Sequence, residues 1–209
     1  MRSLLIWCMF CLPALADGER AGRFDYYVLA LSWSPNWCAL EGSARAASQC
    51  DADADLGWTL HGLWPQFTRG YPSYCRSSAR PPSRAATGAM ADIMGSSGLA
   101  WHQWKKHGTC TGLGGEDYLN LARRAYGQVA RPEAFRRLER AVRLPADVVE
   151  EAFLRANADL TEDAITVTCR DGHIQEVRIC LTRDLAPRTC GEDVRKDCTL
   201  KDAYLEPIP

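Results

Sequence analysis

The stretch FDYYVLALSW, residues 24–33, is an almost unbroken run of apolar and aromatic residues. Aromatic residues favour strands, and a short apolar run of this kind is typical of a strand in the middle of a sheet. We therefore predict that this stretch forms the central strand. A second short strand is predicted within GWTLHGLWPQ, residues 57–66, where Pro65 stops it.

Outside these strands, the sequence predicts a long connection and three helices. Residues 71–98 are rich in Pro, Ser, Arg and Gly, which indicates an irregular segment tied down by Cys75. Residues 117–129, 132–142 and 146–157 have helical patterns, with a proline near the start of the second and the third. The sequence shows no repeat and no second domain. The expected fold class is α+β, with a central antiparallel sheet packed with helices.

Two alternating runs near the C-terminus, AITVTCR and HIQEVRIC, predict a β-hairpin. A three-residue loop over residues 171–173 keeps the buried faces in register, whereas a two-residue turn would mix them. The longer loop pairs Val167 with Val177 and Ile165 with Ile179. We therefore predict the longer loop, with its last residue, a histidine, at the turn.

The first sixteen residues have the pattern of a secretory signal peptide. Arg2 supplies a positive start, residues 4–15 are almost wholly apolar, and small residues stand at both positions that specify cleavage in Ala-Leu-Ala at 14–16. About a dozen apolar residues are too few for a membrane anchor. We expect residues 1–16 to be removed and residues 17–209 to form a single domain, secreted or periplasmic and without membrane attachment.

The cysteine content fits an exported chain. Two of the ten cysteines lie in the predicted signal peptide. An even number of remaining cysteines predicts four disulfides in an oxidising compartment, whereas a zinc site is disfavoured because no CxxC pair occurs. Spacing alone leaves the pairing open, since eight cysteines allow about 105 pairings. The remaining residues are Cys38, Cys50, Cys75, Cys110, Cys169, Cys180, Cys190 and Cys198.

The densest group of chemically active residues is WHQWKKHGTC, residues 101–110, which holds two of the four histidines. We predict a helix here, with Ser96 or Ser97 as its N-cap and Gly108 as its C-terminal stop. At roughly 100° per residue, the tryptophans anchor one face and Lys105 points to solvent. The other face carries the polar groups that can do chemistry, namely His102, Gln103, Lys106 and His107.

A third histidine, His61, lies on the second predicted strand between Leu60 and Gly62. One such residue is ordinarily a buried structural histidine, because an unpaired polar group in a core is costly. Three histidines and a lysine that can converge, in a chain with only four histidines, make that interpretation less favourable. We therefore treat His61 as a candidate catalytic residue.

Three common hydrolytic chemistries do not fit these residues. A zinc helix has histidines at i and i+4 with a glutamate between them, but here they stand at i and i+5 and Gln103 cannot act as a base. A serine triad calls for a strained GxSxG turn, which is not in the sequence. Magnesium chemistry calls for clustered carboxylates near the motif. The prediction is therefore a reaction without a metal or another cofactor.

Transesterification of RNA fits the candidate residues better. The substrate supplies its own nucleophile, the ribose 2′-OH, so the protein needs one base, one acid and cations for the charge on the phosphorane. Histidine serves as base or acid near neutral pH, and Lys106 with a protonated His102 would supply the electrostatic stabilisation. DNA lacks the nucleophile. The net charge of −1 argues against non-specific coating of nucleic acid but is compatible with a local cationic cleft.

Two motifs carry a close resemblance to the ribonuclease T2 family, which comprises secreted acid ribonucleases of broad specificity. That family has a T-[LIV]-H-G-L-W-P strand followed by an H-E-W-x-K-H-G-[TS]-C helix. Here these segments read TLHGLWP at residues 59–65 and HQWKKHGTC at residues 102–110. The segments FDYYVLALSWSPNWC and EVRIC also resemble the family, so the likeness covers most of the chain beyond the predicted signal peptide.

The resemblance implies a role for each matching residue. His107 matches the general base that takes the 2′-proton, and His61 matches the acid that protonates the 5′-oxygen. His102 matches a phosphate-binding histidine, and Lys106 matches the cation that stabilises the transition state. Trp64 matches an aromatic residue that stacks on a substrate base, although packing beside the following proline explains it equally well.

Two glutamines depart from the family pattern. Gln66 stands where some relatives have a carboxylate that contacts the base, so the resemblance implies no base preference. Gln103 replaces a glutamate, which keeps the hydrogen-bonding shape but loses the charge and the ability to accept a proton. We expect Gln103 to position the phosphate or a neighbouring imidazole. We also expect a shifted pH profile, because a nearby anion would have raised the histidine pKa values.

The resemblance also implies the disulfide pairing and the ranking of functions. The implied pairs are Cys38–Cys50, Cys75–Cys110, Cys169–Cys198 and Cys180–Cys190. The leading hypothesis is a monomeric, metal-independent endoribonuclease that forms 2′,3′-cyclic phosphates and then 3′-phosphates from RNA and does not cleave DNA. The alternatives are a catalytically silent family member that binds RNA or a protein, and a secreted metallohydrolase.

Overall fold

The computed structural model describes residues 19–209. The predicted signal peptide at residues 1–16 lies outside them. No helix in the described part is long and apolar enough to cross a membrane. The strands are β1 (Tyr26–Trp33), β2 (Trp58–Gln66), β3 (Val142–Leu144), β4 (Ile165–Arg170), β5 (His173–Leu181) and β6 (Ala203–Leu205).

These six strands form one sheet in the order β2-β1-β5-β6-β3, with β4 paired to β5 outside that path. Every pairing is antiparallel except the short one between β5 and β6. Because β1 lies between β2 and β5 and is almost wholly buried, the prediction of a central strand is confirmed. The fold is α+β, as the sequence predicts.

The helices pack on the sheet and surround its ends. The α-helices are α1 (Ser34–Trp37), α2 (Arg84–Gly88), α3 (Ala91–Met94), α4 (Ser97–Lys106), α5 (Gly115–Gln128) and α6 (Ala146–Ala156). A π-helical turn covers Cys38–Gly42. Short 3-10 helices cover Ser43–Arg45, Ser48–Cys50, Gly108–Cys110, Glu133–Arg137 and Glu162–Ala164.

The main hydrophobic core lies between one face of the sheet and helices α4, α5 and α6. β1 contributes Leu29, Leu31 and Trp33, while the helices contribute large buried side chains such as Trp104 and Phe153. Burying each side chain of this size stabilises the fold by roughly 1.5–3 kcal/mol. This core fixes α4 against β2. The opposite face of the sheet carries a smaller hydrophobic cluster that includes Tyr26 and Val28.

Three predictions for individual elements are wrong. Residues 132–142 form only the 3-10 helix Glu133–Arg137, because the chain then extends into β3 and pairs with β6. Residues 71–98 include two short helices rather than only irregular structure. Pro65 does not end the second strand, which continues to Gln66. In the first case tertiary pairing outweighs the local signal, whereas α2 begins at a local N-cap, Ser83, whose side chain accepts from the Ala86 backbone N–H.

The hairpin prediction is correct in its register and wrong in its loop. Val167 pairs with Val177 and Ile165 with Ile179, as predicted. The turn nevertheless has only two residues, at positions 171 and 172, both with positive φ, and the histidine at 173 begins β5. A bulge between Thr168 and Cys169 takes up the extra residue. Such a bulge corrects the register without lengthening the loop.

Four disulfides cross-link the described chain. Their pairs are those that the resemblance implies: Cys38–Cys50, Cys75–Cys110, Cys169–Cys198 and Cys180–Cys190. The second bridge ties the loop before α2 to the 3-10 turn that follows α4. Beside it, the Tyr74 backbone N–H donates to the Lys106 carbonyl over 2.8 Å. The C-terminal end of α4 is therefore held by both a covalent bond and a backbone hydrogen bond.

Removing the Cys75–Cys110 bridge with paired serine substitutions is expected to lower the free energy of unfolding by about 2–5 kcal/mol. The same change should lower any activity that depends on the α4 side chains, because the end of α4 loses its anchor. Urea denaturation at neutral pH measures the first effect. The paired Cys38→Ser and Cys50→Ser variant is the matched control, and an equal fall in activity in both variants would contradict this account.

Candidate active site

The predicted site residues surround one cleft on the face of the sheet opposite the main core. Its cavity has a volume of about 490 Å³. Strands β1, β2 and β5, helix α4 and two loops supply its walls. Among the lining residues are all seven candidates from the sequence, namely His61, Trp64, Gln66, His102, Gln103, Lys106 and His107.

A β-bulge directs His61 toward this cleft. In the pairing of β1 with β2, Ala30 lies opposite Gly62 and Leu31 lies opposite Leu60, so His61 is the extra residue. Leu60 points into the main core. In a regular strand the alternation of faces would then return Gly62 to the core side, whereas the bulge leaves His61 and Gly62 together on the cleft side.

Helix α4 brings the second motif to the same cleft. The Ser96 side chain accepts a hydrogen bond from the Leu99 backbone N–H over 3.1 Å, as expected of an N-cap. Trp104 is buried in the main core, but Trp101 is 40% exposed. The prediction that both tryptophans anchor the helix is therefore wrong for Trp101. The helix ends at Lys106 and His107 is its C-cap. Gly108, the predicted stop, begins the 3-10 turn that follows.

The indole of Trp64 joins the two motifs. Its ring lies edge-on to His61 with 5.2 Å between ring centroids and is stacked on His107 at 5.3 Å. The Arg178 guanidinium lies over the same indole at 5.4 Å. Both candidate catalytic imidazoles are thus positioned against one rigid aromatic ring.

A hydrogen bond to this indole orients the amide of Gln103. Trp64 Nε1 donates to Gln103 Oε1 over 2.8 Å. An indole N–H can only donate, so the amide oxygen has to face Trp64 and the amide nitrogen has to face away. The side chain is almost fully buried, which holds this arrangement. Gln103 therefore offers two N–H donors and no charge.

Gly62 makes this contact sterically feasible. A Cβ atom at this position would lie 2.3 Å from both Gln103 Oε1 and Trp64 Nε1. Non-bonded heavy atoms do not approach so closely, so any side chain here would separate the strand motif from the helix motif. The glycine next to His61 is required by the close approach of β2 and α4.

His107 is the most deeply buried of the candidate imidazoles, with 4% of the residue exposed. Burial, followed by the charges of Lys106, His61 and His102, lowers the pKa of His107 to about 3. Among residues 19–209, no group lies within hydrogen-bonding distance of its Nδ1 atom, which leaves Nε2 as the nitrogen available to a ligand. The ring is therefore neutral over a wide pH range.

This low pKa predicts a loss of stability in acid. As the pH falls from about 6.5, His107 takes up a proton in the unfolded chain but not in the folded one until the pH approaches its folded pKa. The free energy of unfolding should fall over this window by up to about 1.4 kcal/mol per pH unit from this group. Urea denaturation between pH 7 and pH 4 should show a shallower pH dependence for His107→Gln than for the unmodified protein. Equal slopes would contradict the burial argument.

A carboxylate that the sequence analysis did not identify contacts His61. Glu176, on β5, is 2% exposed, and its carboxylate is hydrogen-bonded to His61 Nδ1. Its second oxygen accepts a hydrogen bond from Arg178 Nε over 2.8 Å, and Arg178 Nη2 lies 2.7 Å from the same oxygen in an ion pair. Burial alone would raise the pKa of Glu176, but the hydrogen bonds and charges of His61 and Arg178 outweigh it and lower this pKa.

The remaining residues of the cleft differ in how far they are exposed. His102 is exposed on α4, and partial burial followed by the charges of Lys106 and Lys105 lowers its pKa. Gln66 lines the cleft but is almost fully buried. Tyr71, which the sequence analysis did not single out, is 52% exposed, and its ring centroid lies 6.2 Å from that of His107.

Within the described chain, no group of three or more His, Cys, Asp or Glu side chains is arranged to hold a metal ion.

Comparison with known proteins shows which family has this fold and cleft. The model of the Ribonuclease T2 family matches residues 24–190. The chain belongs to the ribonuclease T2 family. The match includes both motifs of the cleft, β5 with Glu176, and three of the four disulfides, and the resemblance inferred from the two motifs is confirmed.

Individual relatives agree with this assignment. A ribonuclease of Aeromonas hydrophila is 45% identical over 119 residues, which covers 57% of this chain and 52% of the relative. The extracellular ribonuclease LE of Solanum lycopersicum is 27% identical over 120 residues, covering 52% of this chain and 51% of the relative. The matches thus span about half the length of these relatives.

A solved structure extends the likeness to nearly the whole fold. Trichomaglin, described as an S-like ribonuclease, superimposes with a TM-score of 0.70 at 21% identity. The superposition covers 90% of this chain and all of trichomaglin. At this level of identity the comparison establishes a shared fold.

Proposed function

We propose that this T2-family chain is an endoribonuclease that cleaves RNA by attack of the ribose 2′-OH on the adjacent phosphorus. The observation that carries the proposal is the placement of His61 and His107 against one indole, in a cleft that also contains Lys106. Two imidazoles and an ammonium are the groups that this reaction requires. Family membership supports the same activity.

In the proposed reaction, neutral His107 removes the 2′-proton, for which its lowered pKa prepares it by keeping the ring unprotonated in acid. His61 donates a proton to the departing 5′-oxygen. Lys106 lines the same cleft and stabilises the negative charge that builds on the phosphorane oxygens. The first product is a 2′,3′-cyclic phosphate, and reversal of the roles with water then gives a 3′-phosphate. No step calls for a metal or another cofactor.

We propose that Gln103 and His102 bind the phosphate. The Gln103 amide nitrogen faces away from Trp64, which allows its N–H groups to donate to a phosphate oxygen. The lowered pKa of His102 reduces its positive charge at neutral pH. His102 therefore acts mainly as a hydrogen-bond donor there, and as a cation only in more acidic solution or once phosphate is bound.

The Gln103→Glu substitution is expected to move the acidic limb of the kcat/KM profile to higher pH. A carboxylate beside Trp64 would favour the protonated form of the nearby imidazoles and raise the pKa of His107. The pH dependence of dinucleotide cleavage measures this shift. Gln128→Glu, at the end of α5 and outside the cleft, is the matched control. Unmoved acid and base limbs in Gln103→Glu would contradict the proposed electrostatic coupling.

Substrate bases are proposed to stack on an exposed aromatic at the cleft mouth. Tyr71 has the exposure that stacking requires. Trp64 contacts His61, His107 and Gln103, so its predicted stacking role competes with these protein contacts. Gln66 lies in the cleft wall with an amide that can contact a base edge. If stacking contributes most of the binding energy, the cleft should accept all four bases, because every base has a π-face.

We further propose that residues 17–209 act as a single secreted or periplasmic domain, as a monomer and without membrane attachment. Four disulfides support an oxidising compartment. The tomato relative described as an extracellular ribonuclease supports export. The proposed partner is RNA alone.

One assay separates this function from its alternatives. Oxidised protein is incubated with RNA and DNA strands of the same sequence, once without EDTA and once with excess EDTA. Cleavage of RNA alone is the expected result. No cleavage of either strand would support a catalytically silent, RNA- or protein-binding family member, and activity that disappears with EDTA would support a metallohydrolase.

A further inference from the structure

Glu176 is a buried charged group that the proposed chemistry does not yet use. It lies on β5, two strands away from His61 on β2, with β1 between them. On this face of the sheet β1 places the small residues Ala30 and Ser32 opposite Arg178 and Glu176, respectively. These small side chains leave room for the carboxylate to reach the imidazole across the intervening strand.

The hydrogen bond between His61 and Glu176 fixes which nitrogen of His61 carries the proton when the ring is neutral. The lowered pKa of Glu176 keeps it ionised, and an ionised carboxylate can only accept hydrogen bonds. His61 Nδ1 therefore has to be the donor in the Glu176 contact. This leaves Nε2 as the nitrogen that can face the cleft, where His61 is one of the lining residues.

Arg178 fixes the carboxylate in turn. Its Nε donates a hydrogen bond to the Glu176 oxygen that does not contact His61, and its Nη2 forms an ion pair with the same oxygen. The guanidinium has donors and no acceptor, so an oxygen atom is required at that position. The order Arg178, Glu176, His61 is therefore a directed chain of hydrogen bonds ending at the cleft.

We propose that Glu176 is a positioning residue that holds His61 in the form competent to act as a general acid. The proposal rests on the proposed function. When the P–O5′ bond breaks, the proton on His61 Nε2 passes to O5′, leaving a 5′-hydroxyl, a 2′,3′-cyclic phosphate and a neutral imidazole. The proton on His61 Nδ1 stays on that nitrogen throughout and remains hydrogen-bonded to Glu176. Glu176 itself neither gains nor loses a proton in this step.

The substitution Glu176→Gln tests this arrangement sharply. Arg178 still requires an oxygen, so the new amide has to turn its nitrogen toward His61. His61 Nδ1 then has to accept a hydrogen bond, and the doubly protonated imidazolium is no longer compatible with its surroundings. A ring locked in this neutral form is a poor acid, as when an amide replaces the carboxylate behind a catalytic histidine.

The experiment compares two substrates that differ in the leaving group. Cleavage of a dinucleoside phosphate such as UpA expels a ribose alkoxide and needs the acid. Cleavage of uridine 3′-(4-nitrophenyl phosphate) expels a phenolate that needs no proton. Glu176→Gln is expected to lower kcat/KM for UpA on the order of 10²-fold or more, the range that a general acid contributes, and to change the nitrophenyl substrate only a few-fold.

Two further variants make the outcomes distinguishable. His61→Ala should show the same selective loss, whereas Asp197→Asn, which alters a carboxylate bonded to Thr166 on β4, should affect neither substrate. Suppose that His61→Ala shows the selective loss. Equal losses on both substrates in Glu176→Gln, or no loss on either substrate, would then overturn the positioning role of Glu176. Loss of selectivity in His61→Ala would instead overturn the acid role of His61 in the proposed function, and the positioning proposal with it.

A second measurement does not depend on the folding of any variant. The ¹⁵N chemical shifts of the His61 ring in the unmodified protein report its tautomer at a pH where the ring is neutral. The expected result is a proton on Nδ1 and a bare Nε2. A neutral ring with its proton on Nε2, or one that exchanges evenly between the two forms, would overturn the proposal.

Discussion

The His107→Ala variant is expected to cleave RNA with a kcat/KM about 10²–10⁴-fold lower than that of the unmodified protein, which is the usual contribution of a general base. The ring is buried, neutral and stacked on Trp64, so no neighbouring group can replace it. Because proton removal from the 2′-OH precedes departure of any leaving group, the nitrophenyl substrate should lose activity as strongly as a dinucleotide.

The matched control for this variant is His173→Ala. His173 lies at the start of β5 and stacks on Tyr204 at 5.1 Å, away from the cleft, so its removal should leave kcat/KM within a few-fold. Urea denaturation verifies that both variants are folded. A folded His107→Ala protein with near-normal activity, or equal losses in the two variants, would show that His107 is not the base.

The Lys106→Ala variant is expected to lower kcat by about 10²–10³-fold, the cost of removing one preorganised group that stabilises a developing oxyanion. Lys106 lines the cleft, and its charge lowers the pKa of both His102 and His107. This charge should matter most in the transition state, where an additional negative charge forms. The loss should therefore appear in kcat more than in KM.

Lys105→Ala provides an unusually close comparison, because the neighbouring lysine is exposed and does not line the cleft. It has the same side chain and lies on the same helix. Its removal should alter kcat by less than a few-fold, with any effect on KM decreasing at higher ionic strength. Similar losses for the two lysines would mean that the charge of the helix, rather than one directed ammonium, supports activity.

Local patterns predict the part of the fold and the site that depends on segments near each other in sequence. The aromatic run of β1, the N-cap of α4 and the register of Val167 with Val177 all follow from short-range patterns. The two motifs also name His61, His102, Lys106 and His107 as candidates, and the structure brings these four side chains to one cleft. Their catalytic roles remain predictions.

The features that the sequence does not predict depend on tertiary pairing. Glu176 and Arg178 alternate with apolar residues along β5, as any solvent-facing pair on a half-buried strand would. Only the strand order β2-β1-β5 brings them near His61. The bulge at His61 and the pairing of β3 with β6 depend on contacts between distant segments in the same way.

The exposure of Trp101 shows a different limit of sequence reasoning. Helical periodicity places it on the face of α4 that also carries Trp104, yet only the latter is buried. Periodicity gives the direction of a side chain but not how far the neighbouring core extends along the helix. The position of the core edge depends on how the surrounding elements pack around the end of the helix.

The most direct test of the account is to follow a dinucleoside phosphate and its 2′-deoxy counterpart by ³¹P NMR with the oxidised protein in EDTA. If His61 and His107 act as acid and base on a nucleophile supplied by the substrate, the ribose compound should give a 2′,3′-cyclic phosphate that later opens to a 3′-phosphate. The deoxy compound should remain intact. Cleavage of the deoxy compound, or direct formation of a 5′-phosphate from the ribose compound, would contradict the central claim.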